Sequence, residues 1–164
     1  MPAAVQLTPW SVADHDLLLA LNGDPVQMAH VGGPETPEKI ADRHARYARD
    51  PHQLRIAVDG APAGWVGFWP REWGGAEVYE IGWSVLPAFQ GRGVATQAAL
   101  AAIAIARETD GVGGPTSLHA FPNTGNAPSN AVCRRAGFAL VAEGVAFEYP
   151  PGTFEAVNDW RLDL

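Results

Sequence analysis

Apolar and polar positions along this chain follow two periods, and each switch between them marks an element. Residues 3–8 (AAVQLT) are short and apolar enough for an opening strand. From Val12 to Leu21 the apolar residues recur at helical spacing. Ser11 stands just before them, and Asp14 and Asp16 fall in the first turn, where acids suit the helix dipole. Asn22-Gly23-Asp24-Pro25 ends that helix, and a short segment at Val26–His30 leads to a flexible break at Gly32-Gly33-Pro34. Thr36-Pro37-Glu38-Lys39 predicts a second helix, with Thr36 as N-cap and Pro37 at the first helical position. It carries Ile40, His44, Tyr47 and Ala48 on one side and Arg43, Arg46 and Arg49 across the other, and Asp50-Pro51 closes it.

From Gln53 the period falls to 2. Leu54–Val58, the turn Asp59-Gly60, and Gly64–Trp69 read as a β-hairpin. A Gly74-Gly75 turn follows, then a third strand at Glu77–Val85; no helix fits among these three strands, so they should pair antiparallel. Residues 94–108 form the strongest helix, rich in Ala and Leu, with Gly111-Val112-Gly113-Gly114-Pro115 as its stop. A strand at Ser117–Phe121, a short helix at Ser129–Ala136, a strand at Gly137–Phe147 and a last strand at Trp160–Leu164 complete the order βααβββαβαββ. That order predicts an α+β fold around a mixed sheet.

The chain has 164 residues and a mass of 17.4 kDa, the size of one domain with its own core, spanning 1–164. Eleven basic residues against eighteen acidic ones give a net charge of −7, the reverse of a nucleic-acid footprint. An acidic surface instead suits a cationic partner such as an amine. Cys133 is the single cysteine, which excludes an intramolecular disulfide. The first ten residues do not read as a signal peptide, and no run nears the roughly 18 apolar residues that cross a bilayer, so a soluble, cytoplasmic protein is expected. The five histidines show no metal spacing, and no metal is expected.

The chemistry concentrates in Gln90-Gly91-Arg92-Gly93-Val94-Ala95, between a strand and the long helix. Glycines at 91 and 93 permit positive φ and close backbone approach to a ligand, and the helix behind them offers unpaired N–H groups to phosphate oxygens. Arg92 adds a charge. A diphosphate cradle is one reading, and a tight connection of small packing residues is the other. A dinucleotide fingerprint needs a third glycine where Thr96 stands, and a parallel βαβ unit. No phosphate-binding GxxxxGK[ST] sequence occurs. A coenzyme A pyrophosphate remains.

Gln90-x-x-Gly93-x-Ala95 resembles the [RQ]-x-x-G-x-[GA] motif of the GNAT N-acetyltransferase superfamily. Ile81-Gly82-Trp83 through Pro87 and on to Thr96 is similar to the branch containing bacterial ribosomal-protein acetyltransferases, which act on N-terminal serine or alanine. Asn126-x-x-Ser129-Asn130, followed by Arg134-Arg135-Ala136-Gly137-Phe138, looks like the second motif of that branch. Gly23-Asp24-Pro25 and the Thr36 helix start are compatible with it, so the resemblance covers nearly the whole chain. It implies a mostly antiparallel sheet of about seven strands with helices on both faces, splayed between strands four and five. It also implies acetyl-CoA as co-substrate. Trp83, Ser84 and Val85 would hold the pantetheine arm, and Gln90, Gly91, Arg92, Gly93, Val94, Ala95 and Thr96 the pyrophosphate. Asn126 would touch the coenzyme, and an amide near Val85 would stabilise the oxyanion.

Two side chains are candidates for proton work. Glu80, on the face opposite Tyr79, Ile81 and Trp83, resembles the strand-four glutamate that serves some GNAT enzymes as base; otherwise it is a solvent-facing strand residue. Ser129 matches a serine placed near the coenzyme sulfur, or it is the N-cap of its helix. Cys133 stands where many GNAT proteins have a tyrosine acid, a departure, and reads as a buried small hydrophobe. His119 is a base or substrate contact, or a packed strand residue. Trp69 and Trp73 line an acceptor pocket or, with Trp65 and Trp83, pack the sheet. Arg43, Arg46 and Arg49 read as a solvated helix face.

Transfer of an acetyl group to a primary amine, either a protein N-terminus or a small amine, is the expected function. A coenzyme-binding regulatory module without catalysis and a dinucleotide-dependent oxidoreductase are the alternatives, and a homodimer through the last strands stays open.

Overall fold

The computed structural model describes residues 3–109 and 113–164, so Gly111 and Val112 of the expected helix stop lie outside the described residues. Seven strands form one sheet in the order β1-β2-β3-β4-β5-β7-β6. The chain packs as two compact units, one of Met1–Gly67 with Trp83–Ala98, the other of Phe68–Gly82 with Ala99–Leu164.

In the first unit β1 (Val5–Pro9) pairs antiparallel with β2 (Gln53–Val58), from Val5↔Val58 to Pro9↔Leu54. β2 pairs antiparallel with β3 (Ala61–Trp73) through the turn predicted at Asp59-Gly60. Both turn residues have positive φ, 50° and 83°, the backbone of a two-residue hairpin that follows the sheet twist. Ser11 starts the first helical segment: its hydroxyl accepts from the Ala13 amide, and Asp14 accepts from the Ser11 amide. The segment opens as a tight 3₁₀ turn at Val12–Asp14 and continues as α1 (His15–Asn22). α2 (Pro37–Tyr47) starts where expected, with Thr36 accepting from the Lys39 amide at 3.3 Å. Leu17, Leu18 and Leu21 of α1 bury against Trp10 and Ile40, and Tyr47 and Trp65 stack beside them at 5.2 Å.

Arg43 departs from the expected solvated face. Its guanidinium forks onto Glu35 at 2.8 and 2.9 Å, and both side chains are largely buried. Burial alone raises the Glu35 carboxyl, but Arg43, Asn22 and Lys39 together hold it below its ordinary value. Arg46 and Arg49 are exposed as predicted.

In the second unit β5 (Ser117–Ala120) pairs parallel with β4 (Ala76–Val85) at Tyr79↔Leu118 and Glu80↔His119. β7 (Phe154–Asp163) pairs antiparallel with both β5 and β6 (Ala139–Glu148). β7 begins six residues before the expected Trp160, because its outer half pairs with β6 while its apolar alternation is blurred by Glu155, Asn158 and Asp159. The long helix α3 (Val94–Thr109) buries Ala98, Ala99, Ala102, Ile103 and Ala106, a stripe at helical spacing. α4 runs Ala127–Arg135, so its N-cap is Asn126 and not Ser129.

Candidate active site

The residues singled out divide between the two units. In the first, β4 ends at Val85, Pro87 opens a short 3₁₀ turn to Phe89, and Gln90 leads into the glycines. Gly91 and Gly93 both adopt left-handed backbone, φ 71° and 75°, which a residue with a Cβ enters at a cost of roughly 1–2 kcal/mol. Val94 is buried and anchors the start of α3, whose ladder opens with the Gln97 amide donating to Gly93 O at 3.0 Å. Gln90, Gly91, Arg92 and Gly93 are exposed, while Ala95 and Thr96 are half-buried. The first turn of a 16-residue helix thus lies behind an exposed, left-handed glycine loop.

A residue the sequence reading missed ties this loop to the strand. Gln27 donates through Nε2 to Val85 O at 2.7 Å, and Gln90 donates to the same carbonyl at 2.9 Å and to Gln27 Oε1 at 2.8 Å. Asp24 holds Gln27 in turn by accepting from the Val26 and Gln27 amides. Two amide side chains therefore clamp the end of β4 beside Trp83 and Ser84. On the other edge, β3 approaches so closely at Gly64 that a Cβ there would lie 2.2 Å from Ser84 O.

In the second unit Glu80 is no solvent-facing residue. Its Oε2 accepts from Arg71 Nη1 at 2.9 Å, and its side chain is 13% exposed. Burial pushes the Glu80 carboxyl up, outweighing the lowering by Arg71 and by a Trp69 hydrogen bond. Tyr79 and Ile81 are buried on the other face, as the alternation requires. The Arg71 guanidinium lies over the Phe147 ring at 4.2 Å, with Phe121 and Trp73 beside it. His119, the register partner of Glu80, is buried, and its Nδ1 bonds Asp159 Oδ1 at 2.6 Å. Trp73 donates to the other Asp159 oxygen at 2.9 Å, so this tryptophan is held by a carboxylate, and Trp65 donates to Gln53.

Asn126 caps α4 by accepting from the Ser129 amide at 3.2 Å. Ser129 sits three positions inside the cap, half-buried, and its hydroxyl makes no hydrogen bond among the described residues. Asn130 is structural: it donates to the carbonyls of Asn123 and Asn126 and accepts from Asn158 and Trp160. Burial pushes the Cys133 thiol up to about 12, which bars it from acid–base or nucleophilic work near neutral pH. Among the described residues no three His, Cys, Asp or Glu side chains gather as metal ligands.

A left-handed glycine loop at a helix start and a short parallel ladder between β4 and β5 are a recognisable pair. The family model for the acetyltransferase (GNAT) domain matches residues 5–139. The chain belongs to the GNAT acetyltransferase family. Solved structures share this GNAT fold at low identity. A GNAT-family acetyltransferase from Bacillus anthracis is 18% identical, with a TM-score of 0.76 over 100% of this chain and 96% of that one. The ribosomal-protein-alanine N-acetyltransferase of Brucella melitensis is 22% identical, with a TM-score of 0.76 over 97% and 99%. The Salmonella typhimurium protein yncA, solved with its cofactor acetyl-CoA, is 22% identical, with a TM-score of 0.73 over 98% and 94%. No curated protein sequence matches the chain. Within this GNAT chain the [RQ]-x-x-G-x-[GA] positions Gln90, Gly93 and Ala95 form the loop and helix start described above. No helix among the described residues is long and apolar enough to cross a membrane.

Proposed function

We propose that this GNAT chain moves the acetyl group of acetyl-CoA to a primary amine, a protein N-terminus or a small amine, in the cytoplasm and as one functional domain over residues 1–164. The observation that carries the reading is the pair of left-handed glycines, 91 and 93, exposed ahead of the first turn of α3. Unpaired helix amides and backbone without Cβ atoms are what a pyrophosphate needs, so the residues present fit the coenzyme. Backbone from Gln90 through Gly91, Arg92, Gly93, Val94 and Ala95 to Thr96 holds the diphosphate, and Arg92 adds charge. Trp83, Ser84 and Val85 hold the pantetheine arm from a strand end that Gln27 and Gln90 clamp. When bound, the coenzyme supplies an acetyl group activated as a thioester.

The side chains then have separate tasks. Glu80 faces the acceptor amine and holds it by charge. Ser129, with an unspent hydroxyl, donates to the sulfur as it leaves, and Asn126 touches the coenzyme from the helix cap. The Val85 amide supports the developing oxyanion.

The test is release of free thiol from acetyl-CoA against a panel of amines. The chain's own Cys133 is fully buried and stays silent to a thiol reagent. Amine-dependent release is the expected result. Coenzyme binding without release would make the chain a regulatory module, and release or reduction driven by NAD would revive the oxidoreductase alternative.

A further inference from the structure

The transfer reaction needs a group that can offer a lone pair to the amine's proton, and in the second unit the geometry points to a histidine. Glu80 is occupied: Arg71 bonds one of its oxygens and Trp69 also hydrogen-bonds the carboxylate. His119 is arranged differently. Asp159 takes its Nδ1 at 2.6 Å, and Trp73 fixes Asp159 by donating to the second oxygen at 2.9 Å. A carboxylate on Nδ1 favours the tautomer with its proton there, which leaves Nε2 as a lone pair, and it stabilises the imidazolium once Nε2 is protonated.

Nε2 is also unengaged. It makes no hydrogen bond among the described residues. The face matters too. Asn158 and Trp160 reach Asn130 of α4, so strand alternation turns Asp159, lying directly between them in sequence, to the opposite face. His119 and Glu80 are register partners in the parallel pair and share that face, and Phe121 stacks on the His119 ring at 5.7 Å and 18°. The charged groups about His119 are Asp159 on β7, Glu80 on β4, its partner Arg71 on β3, and the register partner Arg161, which is paired to Asp163.

We propose that His119, positioned by Asp159 and Trp73, is the base of the transfer. Its Nε2 takes the proton as the amine nitrogen bonds to the acetyl carbon and the carbon–sulfur bond breaks. That proton then passes to the departing thiolate, leaving an amide and a free thiol. Glu80 holds the amine by charge, and Asp159 is a positioning residue. The assignment rests on the acetyl-transfer reading.

Three variants test it. His119→Gln is expected to lower kcat at least about 100-fold, with acetyl-CoA affinity unchanged, and to abolish the acidic limb of the kcat/KM profile. Asp159→Asn should lower kcat and displace that limb while leaving the KM for acetyl-CoA unchanged. Glu80→Gln should raise the amine KM and keep the limb. Nitrogen NMR of the unmutated protein, with the His119 signal identified by its loss in His119→Gln, should show Nδ1 protonated and Nε2 bare. A wild type that releases no thiol with any amine overturns the transfer reading and the base with it. Release that persists within threefold in a folded His119→Gln variant overturns the base alone. So does a neutral His119 protonated on Nε2, even if the variants fail to fold.

Discussion

Gly93 has φ 75°, and a Cβ built on it meets only Gln97 Nε2, at 3.8 Å. Space is therefore not what demands glycine there; backbone conformation is, together with the ligand the loop would approach. Gly93→Asp should cost roughly 1–2 kcal/mol of stability from the left-handed strain alone. It should weaken acetyl-CoA by more than tenfold, because a carboxylate would face the diphosphate; calorimetric titration showing ordinary affinity would refute the loop assignment. Cys133 makes a different residue-scale prediction. Its folded thiol is raised to about 12 by burial, whereas an unfolded thiol ionises near its ordinary value, about 8.5. The native state thus keeps a proton that the unfolded chain loses, so this contribution is whole below about pH 8.5 and is lost as pH rises toward 12. Denaturant melts at pH 7 and pH 10 should show a smaller alkaline loss in Cys133→Ala than in the unmutated chain.

Elements are held to their places by contacts of unequal visibility. β3 at Gly64 leaves no room for a methyl group, since Ser84 O would lie 2.2 Å and the Val85 Cα 3.0 Å from it. Backbone on both sides cannot yield as a flexible side chain would, so Gly64→Ala should shift the end of β4. The expected loss of a few kcal/mol, in the upper range for single substitutions, should come with weaker acetyl-CoA binding in the same variant. Asn126→Ala should be milder: loss of a cap costs about 1 kcal/mol, or roughly 2–4 °C of Tm for a chain of this size. These two cases show what was legible. Asp59-Gly60, the Thr36 cap and the Ala-rich stripe of α3 are local signals, and each stands where the sequence reading put it. Asn126 and Ser129 are both good caps three residues apart, so only the hydrogen bond decides between them. Gln27 clamps a carbonyl 58 positions away, and His119 meets Asp159 across 40, separations at which no period or motif speaks. Arg43 looked like solvated helix because its partner, Glu35, lies in the break before the helix rather than on the helix itself.

Ligand linkage tests the molecule as a whole. With a net charge of −7 the chain repels polyanions at long range, so any nucleotide it binds must be held by a built site rather than by surface charge. That makes discrimination among phosphorylated ligands informative. A ligand that binds only the native state stabilises by RT ln(1 + [L]/Kd), about 2.7 kcal/mol at a hundredfold excess, equivalent to roughly 5–10 °C of Tm at this length. Acetyl-CoA and coenzyme A should each produce a shift of that order, while NAD and ATP at the same concentration should not. The shared pantetheine arm and the strand end clamped at Val85 distinguish the first pair, since all four ligands carry a di- or triphosphate. Gly93→Asp should remove the shift, and Glu80→Gln and Ser129→Ala should keep it, because they are assigned to the transfer and not to the coenzyme's diphosphate. Equal shifts from all four ligands would mean that the loop recognises phosphate alone, and the acetyl-transfer reading would lose its donor.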